Sequence, residues 1–291
     1  MRAPVIVMAE NSLAPVAGVA STARGVYASA RPIIQCKAVV GATEFINDWI
    51  LGGDGWLAPV ICAPFLGSFA GVLIARVPAG RGVVLGRSAC QACGHALGAA
   101  DLVPLASFAA LRGRCRWCGG AIGWFHPLVE LAALATAMWA AYAGARGALL
   151  WAGCALGWTL LTLGWIDARC QRLPDFLTLP LVLAGLAEAV FLEPEAVMGR
   201  AAGAAAGYLG FWALAWIFRR IRGREGLGMG DAKLLAAGGA WLGAWLLPDV
   251  LLLAAGTALI YALRHGRPDP TEKLPFGPFL AAGIWAMWLY G

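Results

Sequence analysis

The stretch ALLWAGCALGWTLLTLGWI, residues 148–166, carries no charge and is followed at once by Asp167-Ala168-Arg169. A hydrocarbon core about 30 Å thick needs roughly 20 apolar residues of helix to cross it, and this stretch has that length and character. Working outward from it, spans are predicted at 56–76, 127–144, 148–166, 176–192, 200–218, 232–247, 249–264 and 275–290. Over all 291 residues 60% are hydrophobic and 13% charged, where a soluble domain carries about 25% charge. That balance excludes a water-soluble globule and a disordered chain. It also excludes a β-barrel, whose strands alternate rather than run. The predicted class is an all-α polytopic membrane protein of about eight transmembrane helices, with a small polar insert between the first and second. The 39 Gly and 14 Trp suit close helix contacts and membrane interfaces.

Lys and Arg number 22 against 16 Asp and Glu, a net charge of +6. In a membrane protein the location of that charge matters more than its sum. With eight spans, one set of loops holds sixteen basic residues, from Arg76 through Arg112, Arg169, Arg219 and Lys233 to Lys273; the opposite set holds Arg146 and Arg200. The basic side is expected to be cytoplasmic, which puts the insert there and Gly291 outside. The expected partner is therefore the lipid bilayer, and no nucleic acid is expected. Residues 1–55 contain no run long enough to span and lack the order of a signal peptide. The domain boundaries drawn are an N-terminal extension of unassigned structure over 1–55, a first span over 56–76, a cysteine insert over 77–125 and a membrane core over 126–291.

The insert contains Cys90-Gln-Ala-Cys93 and Cys115-Arg-Trp-Cys118, with 21 residues between the pairs. Each pair presents two sulfurs from one tight turn, and together they suit tetrahedral zinc. In a reducing compartment a metal is favoured over disulfides, although a redox pair or four inert thiols fit the same letters. Gly94 and Gly119 follow the second cysteine of each pair and help the backbone turn; Arg112, Arg114 and Arg116 favour thiolates. Four sulfurs leave no open position, so the zinc is read as structural. Cys36, Cys62, Cys154 and Cys170 have no partners at metal spacing and are read as small buried hydrophobes.

Two aspartates lie at predicted cytoplasmic membrane edges: Asp167, and Asp231 in Gly228-Met229-Gly230-Asp231. A carboxylate beside hydrocarbon is costly and must be paired, hydrated or functional. Brought together, two could share a proton, one activating water and the other protonating a carbonyl oxygen. The plainer reading of Asp231 is the N-cap of the helix it precedes. Asp167 resists such a reading, because a negative charge at a helix C-terminus opposes the dipole. Asp175 reads as a cap for the fourth span, Glu188 as structural, and Glu130 as hydrogen-bonded within the bundle. Gly199, Gly203 and Gly207 repeat at the small-xxx-small spacing of close helix contacts.

The order of motifs from Phe65 to the end resembles the bacterial type IV prepilin peptidase and N-methyltransferase family. The residues that carry the likeness are Leu66-Gly67-Ser68-Phe69, Arg76-Val77-Pro78, the two cysteine pairs, Leu111-Arg112-Gly113-Arg114 and Pro127-Leu128-Val129-Glu130. They continue with Asp167, Leu173-Pro174-Asp175, Leu177-Thr178-Leu179-Pro180, Gly228-Met229-Gly230-Asp231-Ala232-Lys233 and Pro275-Phe276-Gly277-Pro278. The resemblance implies an intramembrane aspartic protease that removes the basic leader of type IV prepilins or type II secretion pseudopilins on the cytoplasmic side. It further implies methylation of the new N-terminus with S-adenosylmethionine. It makes Asp167 and Asp231 the catalytic pair, with Gly228, Met229, Gly230 and Lys233 as the supporting motif.

The chain departs from the family pattern at Gly71, where Asn is usual, and residues 1–55 have no counterpart. No Gly-rich dinucleotide-type loop marks a site for the methyl donor. Two other classes compete with the protease: a transporter or zinc-responsive channel with carboxylates along an ion path, and a non-enzymatic assembly scaffold. The first lacks the internal repeat common in transporters, and the second has no use for two costly carboxylates.

Overall fold

The computed structural model describes residues 55–83, 86–223, 228–265 and 274–291; the 1–55 extension, but for its last residue, lies outside them. Among the described residues, long helices occupy all eight predicted positions. They are α1 Leu57–Arg76, α3 Phe125–Tyr142, α4 Gly147–Cys170, α5 Asp175–Leu192, α6 Val197–Arg222, α7 Met229–Leu242, α8 Leu247–Arg264 and α9 Gly277–Tyr290. A short helix, α2 Ala106–Ala110, belongs to the insert. Five stretches combine the length and apolar character needed to cross a bilayer: those of α1, α4, α5 and α8, and one over Pro194–Ile221 that takes in most of α6.

Two boundaries bear on the aspartates. Helix α4 continues to Cys170 and closes at Gln171, whose left-handed backbone (φ 53°) lets its N–H donate to the Asp167 carbonyl. Asp167 thus belongs to the last turn rather than lying beyond the helix. Helix α7 starts three residues earlier than 232 and stops at Gly243, which adopts φ 81°. Asp231 consequently falls inside the first turn, with Gly228 as N-cap.

Helix α1 lies along α3 and α4, α4 along α9, and α9 along α8, while α7 packs on α6, α5, α9 and α8. The closest approaches are made at glycines and alanines, because helices in lipid associate through van der Waals packing rather than a hydrophobic drive. Ala133, Ala137, Leu156, Leu163, Leu234, Ala237, Leu280 and Ile284 form the middle of one continuous core. The α6–α7 seam is the tightest. A Cβ on Gly239 would collide with the carbonyl oxygen of Gly203, and one on Gly207 would lie 2.6 Å from that of Leu235. Of the three repeated glycines, Gly203 and Gly207 serve packing, and Gly199 faces open space. In α7, every residue from Leu234 to Trp241 is buried.

At the far end of this seam Arg200 is buried with Glu188. Its guanidinium donates to Glu188 and Glu193 carboxylates, each at 2.6 Å, and to the Trp241 carbonyl at 2.6 Å. The cluster joins α5, α6 and α7, and its two buried charges, Arg200 and Glu188, are paired, as burial in a membrane requires. Glu188 is thereby structural, as its sequence position suggested.

Candidate active site and metal centre

Asp167 is only 6% exposed. Its Oδ2 accepts the backbone N–H of Gly277 at 2.9 Å. Gly277 is the first residue of α9, so this N–H is one that no turn of its own helix can satisfy. The start of α9 is therefore aimed at the carboxylate at the end of α4. Only glycine permits the approach, since a Cβ there would lie 2.6 Å from Oδ2.

Asp231 is half-buried in the first turn of α7, and its carboxylate lies within electrostatic range of that of Asp167. The glycines of its motif have separate uses. A side chain on Gly228 would begin 3.1 Å from Asp231 Oδ2, so glycine leaves that carboxylate uncovered. A side chain on Gly230 would begin 3.0 Å from Leu173 Cβ, so glycine lets α7 approach the turn between α4 and α5. Met229 is exposed. Lys233 reaches Asp175, Nζ to Oδ1 2.5 Å. Two carboxylates from different helices, Asp167 held by the Gly277 N–H and Asp231 half-buried beside Gly228, form an arrangement able to activate a water molecule.

Glu130, buried in α3, accepts the backbone N–H of Leu105 at 2.8 Å. Leu105 carries the unusual left-handed φ of 58° just before α2. The bond fastens the insert to the bundle, and Glu130 takes no part in the aspartate pair. Its partner lies in the insert rather than within the helix bundle. Arg76 steadies the other entry to the insert, its guanidinium donating to the carbonyls of Gly86 at 2.7 Å and Gly82 at 3.3 Å.

The four insert cysteines converge, their Sγ atoms all within 4.8 Å of one another, with Cys90 and Cys118 3.9 Å apart. The two pairs repeat one backbone pattern. In the first, Gly94 donates to the Cys90 carbonyl, Cys90 to that of His95, and Ala89 bridges to Ala96. In the second, Gly119 donates to Cys115, Cys115 to Gly120, and Arg114 bridges to Ala121. Gly94 and Gly119 both take positive φ, 72° and 66°, which a glycine supplies without strain.

Backbone N–H groups of Cys93 and Ala92 lower Cys90 to about 6. At Cys118 the Gly120 N–H works downward, yet the neighbouring thiols of Cys93 and Cys115 hold it up at about 11. A thiol held up in this way gives up its proton when a cation sits among the sulfurs. Sulfur spacing, turn geometry and proton demand together fit a metal ion.

Sequence reasoning missed the Gly277 donor and the Lys233–Asp175 pair. The Pro275-Phe276-Gly277-Pro278 motif was the available signal for the first. For the second, an acid and a base stood at the starts of two predicted spans.

Comparison with known proteins finds relatives over most of the chain. Residues 61–143 match the family model described as Bacterial Peptidase A24 N-terminal domain, and residues 154–263 match the Type IV leader peptidase family. A prepilin leader peptidase/N-methyltransferase of Burkholderia pseudomallei is 48% identical over 218 residues, 74% of this chain and 71% of that protein. One of Dichelobacter nodosus is 43% identical over 208 residues, 70% and 71% of the two chains. One of Dickeya chrysanthemi is 39% identical over 270 residues, 82% and 92%. No solved structure matches. On its family-model matches and its identity to these relatives, the chain belongs to the type IV leader peptidase family.

Proposed function

We propose that this chain cleaves prepilins or pseudopilins with Asp167 and Asp231 as its catalytic pair. The observation that carries the pair is the placement of two carboxylates within electrostatic range at the ends of separate helices. One ionised carboxylate takes a proton from water as its oxygen attacks the scissile carbonyl carbon. The protonated partner donates to the carbonyl oxygen; as the tetrahedral intermediate collapses, the carboxyl that took the water proton passes it to the leaving amine, and the partner regains its proton from the intermediate's hydroxyl. The Gly277 N–H fixes the orientation of Asp167 throughout. Such a site suits a substrate whose apolar helix lies in the bilayer and whose leader emerges on the cytoplasmic side.

All eight long helices are taken to cross the inner membrane, giving an extension over 1–55, a span over 56–76, an insert over 77–125 and a peptidase core over 126–291. The sixteen-to-two distribution of basic residues supports a cytoplasmic insert and cytoplasmic aspartates. Cys90, Cys93, Cys115 and Cys118 would hold zinc. The ion would supply folding energy to an insert with little core of its own and, with four sulfurs around it, no open coordination position.

The relatives' names extend the activity to methylation of the new N-terminus, for which S-adenosylmethionine is the proposed donor. A cavity of about 340 Å³ between α3, α4 and α9 is lined by Thr136, Gly164, Trp165, Ala281 and Trp285 among others, with no charged group. Its lining offers no charged side chain to pair with the carboxylate of such a donor.

The test is leader cleavage of a model prepilin in proteoliposomes by wild type, Asp167→Asn and Asp231→Asn, with the product N-terminus read by mass spectrometry. Loss of cleavage in either folded variant supports the pair, and undiminished cleavage in both removes it. A methyl mass that depends on added S-adenosylmethionine tests the second activity.

A further inference from the structure

We propose that Lys233 and Asp175 are positioning residues that set Asp231 against Asp167, an inference that rests on the catalytic reading of the two aspartates. Lys233 Nζ lies 2.5 Å from Asp175 Oδ1. Asp175 is the first residue of α5, and Lys233 lies one turn into α7, two positions after Asp231. A cation in that place faces the positive end of its own helix and is disfavoured there. The carboxylate of Asp175 compensates, and it sits at the start of α5 where a negative charge is favoured. The ion pair therefore draws two helix starts together that their own dipoles would push apart.

A second contact acts on the same turn. Gly230 meets the Leu173 side chain so closely that a Cβ would lie 3.0 Å from Leu173 Cβ. The start of α7 is thus held by Leu173 and Asp175, the one in the short link that follows α4 and the other at the first residue of α5. That segment is continuous with the helix carrying one aspartate and clasped to the helix carrying the other. Displacing the clasp moves Asp231 relative to Asp167 without touching either carboxylate.

The pair is part exposed, 28% for the Lys233 side chain and 57% for that of Asp175, so it adds little to stability. Positioning and fold maintenance can accordingly be told apart. Misplacing a reacting group by about 1 Å costs up to about a hundredfold in rate. The experiment compares Lys233→Met, Asp175→Asn, the swap Asp175→Lys with Lys233→Asp, Lys233→Arg and Asp231→Asn, each as the whole protein in proteoliposomes cleaving a model prepilin.

Each single neutral variant is expected to lose about tenfold or more in kcat with KM within about twofold and an unchanged thermal midpoint. The swap is expected to recover most of that loss, and Lys233→Arg to stay within about threefold of wild type. If a single variant unfolds, recovery of folded, active protein by the swap supports the proposal, and a folded but slow swap overturns it. Wild-type kcat in both single variants also overturns it. Asp231→Asn separates the two levels: if it is inactive while the pair variants are fully active, only the positioning role fails, and if it cleaves normally, the catalytic reading itself fails.

Discussion

Gly277 and Asp167 stand 110 positions apart in the chain, yet the N–H of one donates to the carboxylate of the other at 2.9 Å. The last helix is therefore part of the aspartate site. A methyl group on Gly277 would begin 2.6 Å from the Asp167 oxygen, so Gly277→Ala must push α9 or the carboxylate away. Cleavage is expected to fall about a hundredfold, measured in proteoliposomes with folding checked by thermal shift.

The α6–α7 seam gives a stability prediction with an internal control. Gly239 faces the Gly203 carbonyl, and backbone cannot yield as a side chain can. Gly239→Val is expected to destabilise the protein by about 3 kcal/mol or more, seen as a lowered thermal midpoint in detergent. Gly199→Ala, at an open position of the same stripe, is expected to leave the midpoint unchanged.

Glu130 offers a test of how the insert is fastened. Glu130→Ala leaves the Leu105 N–H without its acceptor, at a cost of about 1–3 kcal/mol, whereas Glu130→Gln keeps an acceptor oxygen. Hydrogen exchange at the Leu105 amide is expected to speed up in the alanine variant and stay slow in the glutamine variant.

Metal uptake by the insert carries a pH signature. With Cys118 held up at about 11, its thiol is protonated at neutral pH, and an incoming zinc ion must displace that proton. Affinity should therefore rise with pH between 7 and 9, by up to about tenfold per unit for each proton released. Cys90, at about 6, is already mostly thiolate in that range and adds little to the slope. Competition with a chromogenic chelator across this range measures the slope; a flat line is the contrary result. Cys118→Ser is expected to weaken zinc binding while leaving α4 to α9 folded, read by limited proteolysis.

How much of this was legible beforehand depended on the kind of signal. Five of the eight helices were readable because a largely apolar run of bilayer length has few other interpretations, and the positions of all eight held to within about five residues. The ends held less well, because they are set by single backbone conformations: Gln171 and Gly243 in positive φ stop α4 and α7. The cysteine cluster was readable because its spacing is local. Asp167 and Asp231 attracted notice through the cost of a carboxylate at a membrane edge. The Gly277 donor was silent, because a backbone N–H has no letter of its own. The Lys233–Asp175 pair was silent for another reason: both residues were noticed, but their meeting depends on how α5 and α7 pack.

The burial of α7 has a consequence for the bilayer itself. Its 14 residues give a rod of about 21 Å, well short of the roughly 30 Å a helix facing lipid must match. Exposed to acyl chains, such a helix would suffer hydrophobic mismatch and shift in depth as membrane thickness changed. Surrounded by α5, α6, α8 and α9, it meets protein instead. Thickness changes then act on the outer helices through tilt, while the depth of Asp231 is fixed by a proteinaceous sleeve.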